Sequence, residues 1–287
     1  MTDARPSPAL DVLWTGDREV AVEKPAGLSS ERPDSRNSSA SGVSPSGNSP
    51  SGASPFGRVD SRRSSDSGSS STDAAITRAR DQFGWPDAQL PHRLDRPTSG
   101  ILVVSADRAR AAEHAAEMRE GRWTKWYIAR IAAHESLGEL VGRHRRFVRR
   151  EGRLARCVRS GGDPASLEVL AVALALDRAS EAHALIRLET GRFHQIRVMF
   201  SDLGAPLLGD VDYGGARSRP ALELIACGLR IVRERETVRI FSRAVTPLAD
   251  GDRRGNQHPS VDQVQAMAGQ SIAPSLVEQL RACMAAP

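Results

Sequence analysis

The chain has 287 residues, of which 39% are hydrophobic and only 4% aromatic. This length allows one large domain or two small ones, each with a core built mainly from aliphatic side chains. The formal net charge of +5 and the isoelectric point of about 9.7 favour a polyanionic partner, although a basic surface that serves only solubility explains the charge equally well.

The three cysteines, Cys157, Cys227 and Cys283, are far apart and form no CxxC pair. A disulfide framework and a cysteine-rich zinc site are therefore not expected, and scattered thiols suit a reducing cytoplasm, where we expect the protein. The N-terminus lacks the basic and apolar regions of a signal peptide. No apolar run approaches the ~20 residues needed to cross a bilayer, so we expect no membrane association.

The first predicted elements are two short strands, at 10–13 and 19–22, around the turn signal Gly16-Asp17. The stretch 31–72 that follows is nearly all Ser, Gly, Pro, Asn, Arg and Asp. It holds too little apolar surface to offset the entropy of ordering and is predicted to be a disordered insertion. Patterned sequence resumes after it, so 1–30 and 73–249 are predicted to form a single catalytic domain.

Capping residues predict three helices in the rest of that domain. Asp73 caps a helix over 74–83 that Gly84 ends, Asp107 caps a second that runs to Arg119, and Thr190 caps a third that starts near Arg192. Alternating or buried patterns predict strands at 101–104, 124–132, 166–177, 182–189, 222–233 and 237–242, and a strongly basic hairpin at 143–159. A polar tail, 250–287, carries a short helix predicted from Ser275 to Met284. Strands outnumber helices, which indicates an α+β fold around a mixed, largely antiparallel sheet.

One candidate for chemistry is the loop His92–Gly100, in which Arg93 and Arg96 flank Asp95. Nearby guanidinium groups favour the ionised carboxylate, and a charged carboxylate can act as a nucleophile or a base. Thr98 and Ser99 add hydroxyl groups to the same loop. Taken alone, the pattern is explained more often by an ordinary loop salt bridge.

A second candidate lies at the start of the third helix, where Ile196, Met199, Phe200 and Leu203 form the buried stripe. His194, Gln195 and Arg197 are not needed for that stripe. They form either an anion or substrate site near the helix N-terminus or a solvated helix face.

Other catalytic and metal patterns give weaker signals. The acids of Gly209–Gly215 do not have the spacing of a calcium loop, and this stretch is predicted to be a structural loop. The chain has no Walker A loop, no GxGxxG after a strand, no HExxH and no GxSxG. We therefore expect no metal and no cofactor.

Five motifs occur together and in a fixed order. They are Lys24–Gly27, His92–Gly100, Lys125–Ala129, Thr190–Val198, and Gly204–Asp210 followed by Tyr213-Gly214. This order resembles that of the RluA-type RNA pseudouridine synthases over about residues 9–245, apart from the insertion. HRLDRxTSG is highly specific, and its pairing with TGRxHQIR makes a chance match very improbable.

The resemblance implies a mixed, mostly antiparallel sheet in two halves with a central active-site cleft, the pseudouridine synthase fold. It implies Asp95, Tyr127 and Arg197 as the catalytic residues. Residues implied in substrate binding are His92, Arg93, Arg96, Thr98, Ser99, Arg192, His194 and Gln195. The implied reaction isomerises uridine in ribosomal or transfer RNA after the base has flipped out of its stack, and it needs no cofactor. Arg93, Arg96 and the basic segment 143–159 are then expected to hold phosphates.

Two residues depart from the family pattern. Phe193 stands where Ser or Thr is usual, and Ile225 stands where His is common. Lys24-Pro25 lies so near the start that the small N-terminal RNA-binding module of many members is not expected. We expect no obligate protein partner and a monomer. Two other functions stay open: a nucleoside N-glycosylase that uses Asp95, and a non-catalytic RNA-binding or folding protein on the same fold.

Overall fold

The computed structural model describes residues 8–31, 73–217, 219–246 and 271–286. The predicted insertion, except Glu31, and the first part of the predicted tail lie outside these residues. Ten strands of the described chain form one sheet. They are β1 (Asp11–Gly16), β2 (Glu19–Lys24), β3 (Ser99–Ser105), β4 (Trp123–Ala132), β5 (Gly142–Glu151), β6 (Leu154–Val158), β7 (Asp163–Ala175), β8 (Arg178–Leu188), β9 (Leu224–Val232) and β10 (Thr237–Phe241). The described helices are α1 (Ala75–Phe83), α2 (Arg108–Arg119), α3 (Gln195–Asp202) and α4 (Pro274–Ala285).

The sheet has the order β1-β2-β3-β9-β4-β8-β7-β5-β6. The remaining strand, β10, pairs with the second half of β9, beyond the short contact of β9 with β3. Every pairing between these strands is antiparallel except that of β3 with β9, which spans two residue pairs. The predicted α+β class with a mixed, mostly antiparallel sheet is confirmed. At the parallel junction Gly100 has a φ of 106°, and a Cβ there would lie 2.3 Å from the carbonyl oxygen of Ala226. Glycine therefore permits the close approach of the two halves of the sheet.

The largest core cluster lies on the face of the sheet that α1 and α3 cover. Met199 and Phe200 of α3 are fully buried there, against side chains such as Ile186 of β8. Burying each of these side chains contributes about 1.5–3 kcal/mol. The cluster holds α3 firmly against the sheet, and α3 carries part of the candidate site.

The opposite face of the sheet is covered by α4. Leu276, Leu280 and Met284 recur every four residues and pack against Trp126 and Ile128 of β4. The helix predicted over Ser275 to Met284 is thus present. Its apolar stripe makes it part of the core rather than a solvated tail.

Two of the three predicted helix caps differ from the structure. Asp107 does cap α2, because its side chain accepts a hydrogen bond from the backbone N–H of Arg110. Asp73 makes no cap; its carboxylate accepts hydrogen bonds from Arg78 instead. Thr190 does not cap α3 either, because a turn intervenes and the helix begins only at Gln195. The hydroxyl of Thr190 donates to the side-chain oxygen of Gln195 and so stabilises that turn.

The described residues on either side of the predicted insertion lie next to each other. The backbone N–H groups of Ala75 and Ile76 donate to the carbonyl oxygens of Ser29 and Ser30, at 2.8 and 3.1 Å. A short connection can therefore join the two ends without straining either.

We accordingly expect that replacing Pro33 to Ser70 by a short Gly/Ser bridge leaves a folded protein with the wild-type turnover number. The entropy of closing a connection between two fixed ends changes only slowly with the length of that connection. Circular dichroism and a turnover assay on the deletion variant check this prediction. A folded variant whose turnover number collapses would show that the segment takes part in the reaction.

Candidate active site

The loop that carries Asp95 is held on both sides by buried polar contacts. Lys24, which is fully buried at the end of β2, donates through Nζ to the carbonyl oxygens of Leu28, Pro25 and Arg96, at 2.7, 3.0 and 3.3 Å. Within the loop, the N–H of Thr98 donates to the carbonyl oxygen of Asp95 at 3.0 Å. The backbone of Asp95 is thereby fixed relative to β2 and β3.

The side chain of Asp95 faces the N-terminal end of α3. One of its oxygens lies 3.9 Å from Nη1 of Arg197, and the other lies 4.0 Å from Nε2 of His194. The carboxyl group is 24% exposed, so it is enclosed yet open to a ligand on one side. The structure thus brings Asp95 together with His194 and Arg197, which follow it by 99 and 102 positions in the sequence.

Arg197 is oriented by the loop Gly209–Gly215. Its Nε and Nη2 donate to the two carboxylate oxygens of Asp210 at 2.8 and 2.7 Å, and both side chains are buried. Nη2 also donates to the exposed carboxylate of Asp212 at 3.3 Å. With two nitrogens fixed in this way, Nη1 is the part of the guanidinium that faces Asp95. The loop Gly209–Gly215 therefore has the structural role predicted for it, and it supports the site through Asp210.

His194 has a left-handed backbone conformation, with a φ of 53°, which is uncommon outside glycine. Its Nδ1 lies 2.8 Å from the hydroxyl of Tyr213, which in turn accepts a hydrogen bond of 2.7 Å from the N–H of Ala155 in β6. Nη1 of Arg197, which can only donate, lies 3.3 Å from Nδ1 and 3.2 Å from Nε2 of the same ring. The imidazole is thus held between the Tyr213 hydroxyl and the Arg197 guanidinium, with Nε2 on the side of Asp95.

Burial controls the ionisation of these groups. It raises the pKa of Asp95, against the smaller opposing effect of Arg197, while the charge of Asp210 raises it further. Arg93, which flanks Asp95, does favour the ionised form as expected, but burial outweighs it and the net shift of the pKa is upward. Burial and the charge of Arg197 lower the pKa of His194 to about 4, so this imidazole is neutral at neutral pH.

Tyr127 lies in β4, between Ile186 of β8 and Ala226 of β9, and its ring is buried. Burial raises the pKa of its hydroxyl, and the charge of Asp95 raises it further. The phenol is therefore protonated at neutral pH and is a poor base. The face of its aromatic ring, rather than its hydroxyl, is the part suited to contact a nucleobase.

Three of the five other predicted residues in the Asp95 loop have side-chain partners in the protein. Nε2 of His92 accepts a hydrogen bond from the N–H of Val103, and its ring lies edge-on to Trp123. Arg93 is exposed and pairs with Glu31, while Nε of Arg96 donates to the carbonyl oxygen of Gly27. The hydroxyl of Thr98 is buried without a hydrogen-bond partner among the described residues, and Ser99 is the buried first residue of β3.

The other predicted residues near α3 also bond to the protein. The side-chain oxygen of Gln195 accepts from the N–H of Arg192, and its amide nitrogen donates to the carbonyl oxygen of Ser166 in β7. Nε of Arg192 donates to the carbonyl oxygen of Pro164. These two side chains shape the turn before α3, and the structure does not bring them to the Asp95 carboxylate. Of the eight residues predicted to bind substrate, His194 is the one in direct proximity to that carboxylate.

Three residues of the site are missing from the predicted set: Lys24, Asp210 and Tyr213. Each lies in a motif that carries the family resemblance, Lys24–Gly27 or Gly209–Gly214, so the motifs held a signal. Their roles depend on contacts with residues distant in the sequence, which the motifs do not specify. Within the described ranges, no group of three or more His, Cys, Asp or Glu side chains could hold a metal ion.

Removing the hydroxyl of Tyr213 tests whether it positions His194 beside Asp95. Tyr213→Phe keeps the ring 4.8 Å from the Arg197 guanidinium but removes the hydroxyl partner of Nδ1 of His194. We expect turnover to fall about tenfold through misplaced groups, with KM little changed. A His194 ring that is no longer held should also shift the pKa of the adjacent Asp95 carboxyl group, so the acid limb of the pH–rate profile moves. A slower variant whose profile does not move would leave Tyr213 with a purely structural role.

Comparison with known proteins places the chain in a family. Residues 19–202, more than half of the chain, match the family model described as RNA pseudouridylate synthase. The chain is 34% identical over 157 residues to the dual-specificity RNA pseudouridine synthase RluA of Escherichia coli K12, covering 51% of this chain and 66% of that protein. The RluA of Salmonella typhi is 34% identical over 167 residues, covering 54% of this chain and 70% of that protein.

Solved structures show the same fold. The human RNA pseudouridylate synthase domain containing 1 superposes with a TM-score of 0.63 at 21% identity, over 99% of this chain and 98% of that one. Human domain containing 4 gives a TM-score of 0.55 at 18% identity, over 91% and 92% of the two chains. The resemblance inferred from the motifs is confirmed: the chain belongs to the RNA pseudouridylate synthase family.

Proposed function

We propose that this protein isomerises uridine to pseudouridine in RNA, with Asp95 as the nucleophile. The observation that carries the proposal is the enclosed carboxyl group of Asp95 between Arg197 and His194, on a loop fixed by Lys24. In an ordinary loop salt bridge, Asp95 would be the main partner of the guanidinium. Arg197 is instead already neutralised by a second acid, Asp210. Family membership supports the same function.

The reaction breaks the C1′–N1 bond of uridine, turns the base and joins C5 to C1′. Electrons and atoms balance within the nucleotide, because the proton lost from C5 is matched by one gained at N1. Asp95 would attack either C1′ or C6 of the uracil, forming a covalent bond that is broken later in the reaction. The target uridine must first leave its stack, at a cost of ~a few kcal/mol.

The neighbouring residues have distinct roles in this proposal. Arg197 stabilises the ionised form of Asp95, since its charge opposes the rise in pKa that burial causes. The neutral ring of His194 lies 4.0 Å from the second carboxylate oxygen and helps to enclose it. The buried ring of Tyr127 supports the flipped base by stacking, and its raised pKa disfavours it as the base that removes the C5 proton.

RNA labelled with tritium at C5 of uridine tests this function. We expect the protein to release tritium from transcripts of ribosomal or transfer RNA and to leave the total nucleoside mass unchanged. An N-glycosylase would instead release uracil and leave an abasic site. A non-catalytic RNA-binding protein would bind the transcripts without releasing tritium. Either of these results would contradict the proposal.

The substrate class is proposed on the same basis. A relative from Vibrio vulnificus, 34% identical over 140 residues, is named ribosomal large subunit pseudouridine synthase D, which supports ribosomal RNA, and the dual specificity in the name RluA supports more than one target. We therefore infer structured ribosomal or transfer RNA as the partner of a monomeric, cytoplasmic enzyme. No helix in the described ranges is long and apolar enough to cross a membrane.

A further inference from the structure

The basic hairpin formed by β5 and β6 has two faces with different surroundings. On its inner face, which turns toward α3, Val148 is buried in the main core. Arg146 on this face donates to Asp202 of α3 at 2.6 Å, and the guanidinium of Arg150 lies 4.4 Å from the ring centre of Phe193. These two arginines are engaged by the protein itself.

Phe147 lies at the centre of the outer face of the hairpin and is 44% exposed. It pairs with Val158 of β6 on one side and with Pro164 of β7 on the other. Because directly paired residues of antiparallel strands share a face, these three side chains form one apolar patch. By the same alternation, Arg145 and Arg149 of β5 project on this face on either side of Phe147.

The positive charge on the outer face is only partly neutralised around Phe147. Arg149 is paired with Arg156 across the strands, and both guanidinium groups share the single carboxylate of Glu151, at 2.9 and 3.3 Å. The side chain of Arg145 has no partner among the described residues. Farther from Phe147, the arginines at 143 and 187 are matched by the acids at 168 and 189. The excess positive charge therefore surrounds the exposed ring.

We propose that this outer face binds an unpaired segment of the substrate RNA, with one base stacked on Phe147 and phosphates on Arg145, Arg149 and Arg156. The inference rests on the proposed function in taking RNA as the partner. An aromatic ring with neighbouring cations is the arrangement that holds single-stranded RNA without regard to sequence. The face lies outside the catalytic cleft, and β6 is the last strand of the sheet, so an RNA strand can pass round its edge from one face to the other.

Two other occupants fit this face less well. A second copy of the chain would bring like charges together around the two rings, which opposes association. An acidic peptide would satisfy the arginines but would not need an exposed ring at their centre. RNA uses both features at once.

A labelled single-stranded oligouridylate tests the proposal by fluorescence anisotropy. The ring is varied as Phe147→Ala, Phe147→Leu and Phe147→Trp, and the charge is varied by changing Arg145, Arg149 and Arg156 together to Gln. Arg108, Arg119 and Arg235, which are exposed at the other end of the sheet, changed together to Gln, provide a control with the same loss of charge. Phe147 is exposed, so none of its variants should prevent folding.

We expect Phe147→Ala and Phe147→Leu to weaken binding about tenfold and Phe147→Trp to retain it, since stacking needs an aromatic face. These variants should leave the salt dependence unchanged. The outer-face triple variant should weaken binding and flatten the slope of log K against log salt by roughly 0.7 for each lost phosphate contact. The control triple variant should do neither, because salt screens charges that lie beyond about 10 Å.

Wild-type affinity and wild-type salt slope in both the ring and the charge variants would overturn the proposal. So would a dimer that Phe147→Ala dissociates without changing RNA binding, since the occupant would then be a second copy. Binding of an acidic peptide that depends on Phe147 and the three arginines, and that RNA does not displace, would also overturn it. Tritium release by the wild-type protein is measured in parallel. Its absence would contradict the proposed isomerase but not the binding result, so the two failures are distinguishable.

Discussion

Replacing Asp95 by Asn is expected to abolish the isomerisation while RNA binding largely persists. Asn has nearly the same shape as Asp but cannot be ionised and cannot form the covalent bond that the reaction needs. Loss of a nucleophile costs on the order of 10⁴-fold or more in turnover. Tritium release measures the first effect, and anisotropy with the same RNA measures the second. Substantial release by this variant would remove Asp95 from the role of nucleophile.

The matched control for this variant is Asp212→Asn. The carboxylate of Asp212 also lies near Arg197, 3.3 Å from Nη2. It is about half exposed, however, and it does not belong to the Asp95 loop. We expect this variant to keep most of its activity. Similar losses in both variants would indicate a general effect of charge near Arg197 rather than a nucleophile at Asp95.

The pH dependence of the wild-type enzyme has a predictable sign. The nucleophile is the ionised carboxylate, so kcat/KM should fall as the pH falls through the pKa of Asp95, which burial raises above its ordinary value. Arg197 opposes that rise. The residual activity of Arg197→Met should therefore show the acid limb of its pH–rate profile at higher pH than the wild-type enzyme does.

Replacing Asp210 by Asn is expected to lower the free energy of unfolding by about 3 kcal/mol. Asp210 and Arg197 form a buried pair with two hydrogen bonds of 2.7 and 2.8 Å, and removing one charge leaves the other buried and uncompensated. Urea unfolding of the purified protein measures the change. Asp212→Asn again serves as the control, because an exposed ion pair contributes ~0–1 kcal/mol.

The same variant should also lose activity. Asp210 fixes two of the three guanidinium nitrogens of Arg197 and thereby turns Nη1 toward Asp95. A variant as stable as the wild type would mean that Arg197 finds another partner, and the orientation by Asp210 would then be unnecessary.

The sequence by itself determined the class of the fold and the succession of the strands along the chain, and it singled out Asp95 as the candidate nucleophile. Local patterns sufficed for these: alternation marked β4, the turn-like Glu151-Gly152 marked the hairpin of β5 and β6, and Asp107 marked the start of α2. The motif around Asp95 is specific enough to stand out without any structure. Such features depend on residues within a few positions of each other, so a reading along the chain detects them.

Only the tertiary structure decided how the site works. The bond between Asp210 and Arg197, the left-handed turn at His194 and its link through Tyr213 to Ala155 join segments that are distant in the sequence. The net direction of the Asp95 pKa shift was also decided by the fold, because burial of the carboxyl group outweighs the lowering by Arg93 and Arg197. Burial and long-range contact are properties of the folded chain, and no local pattern contains them.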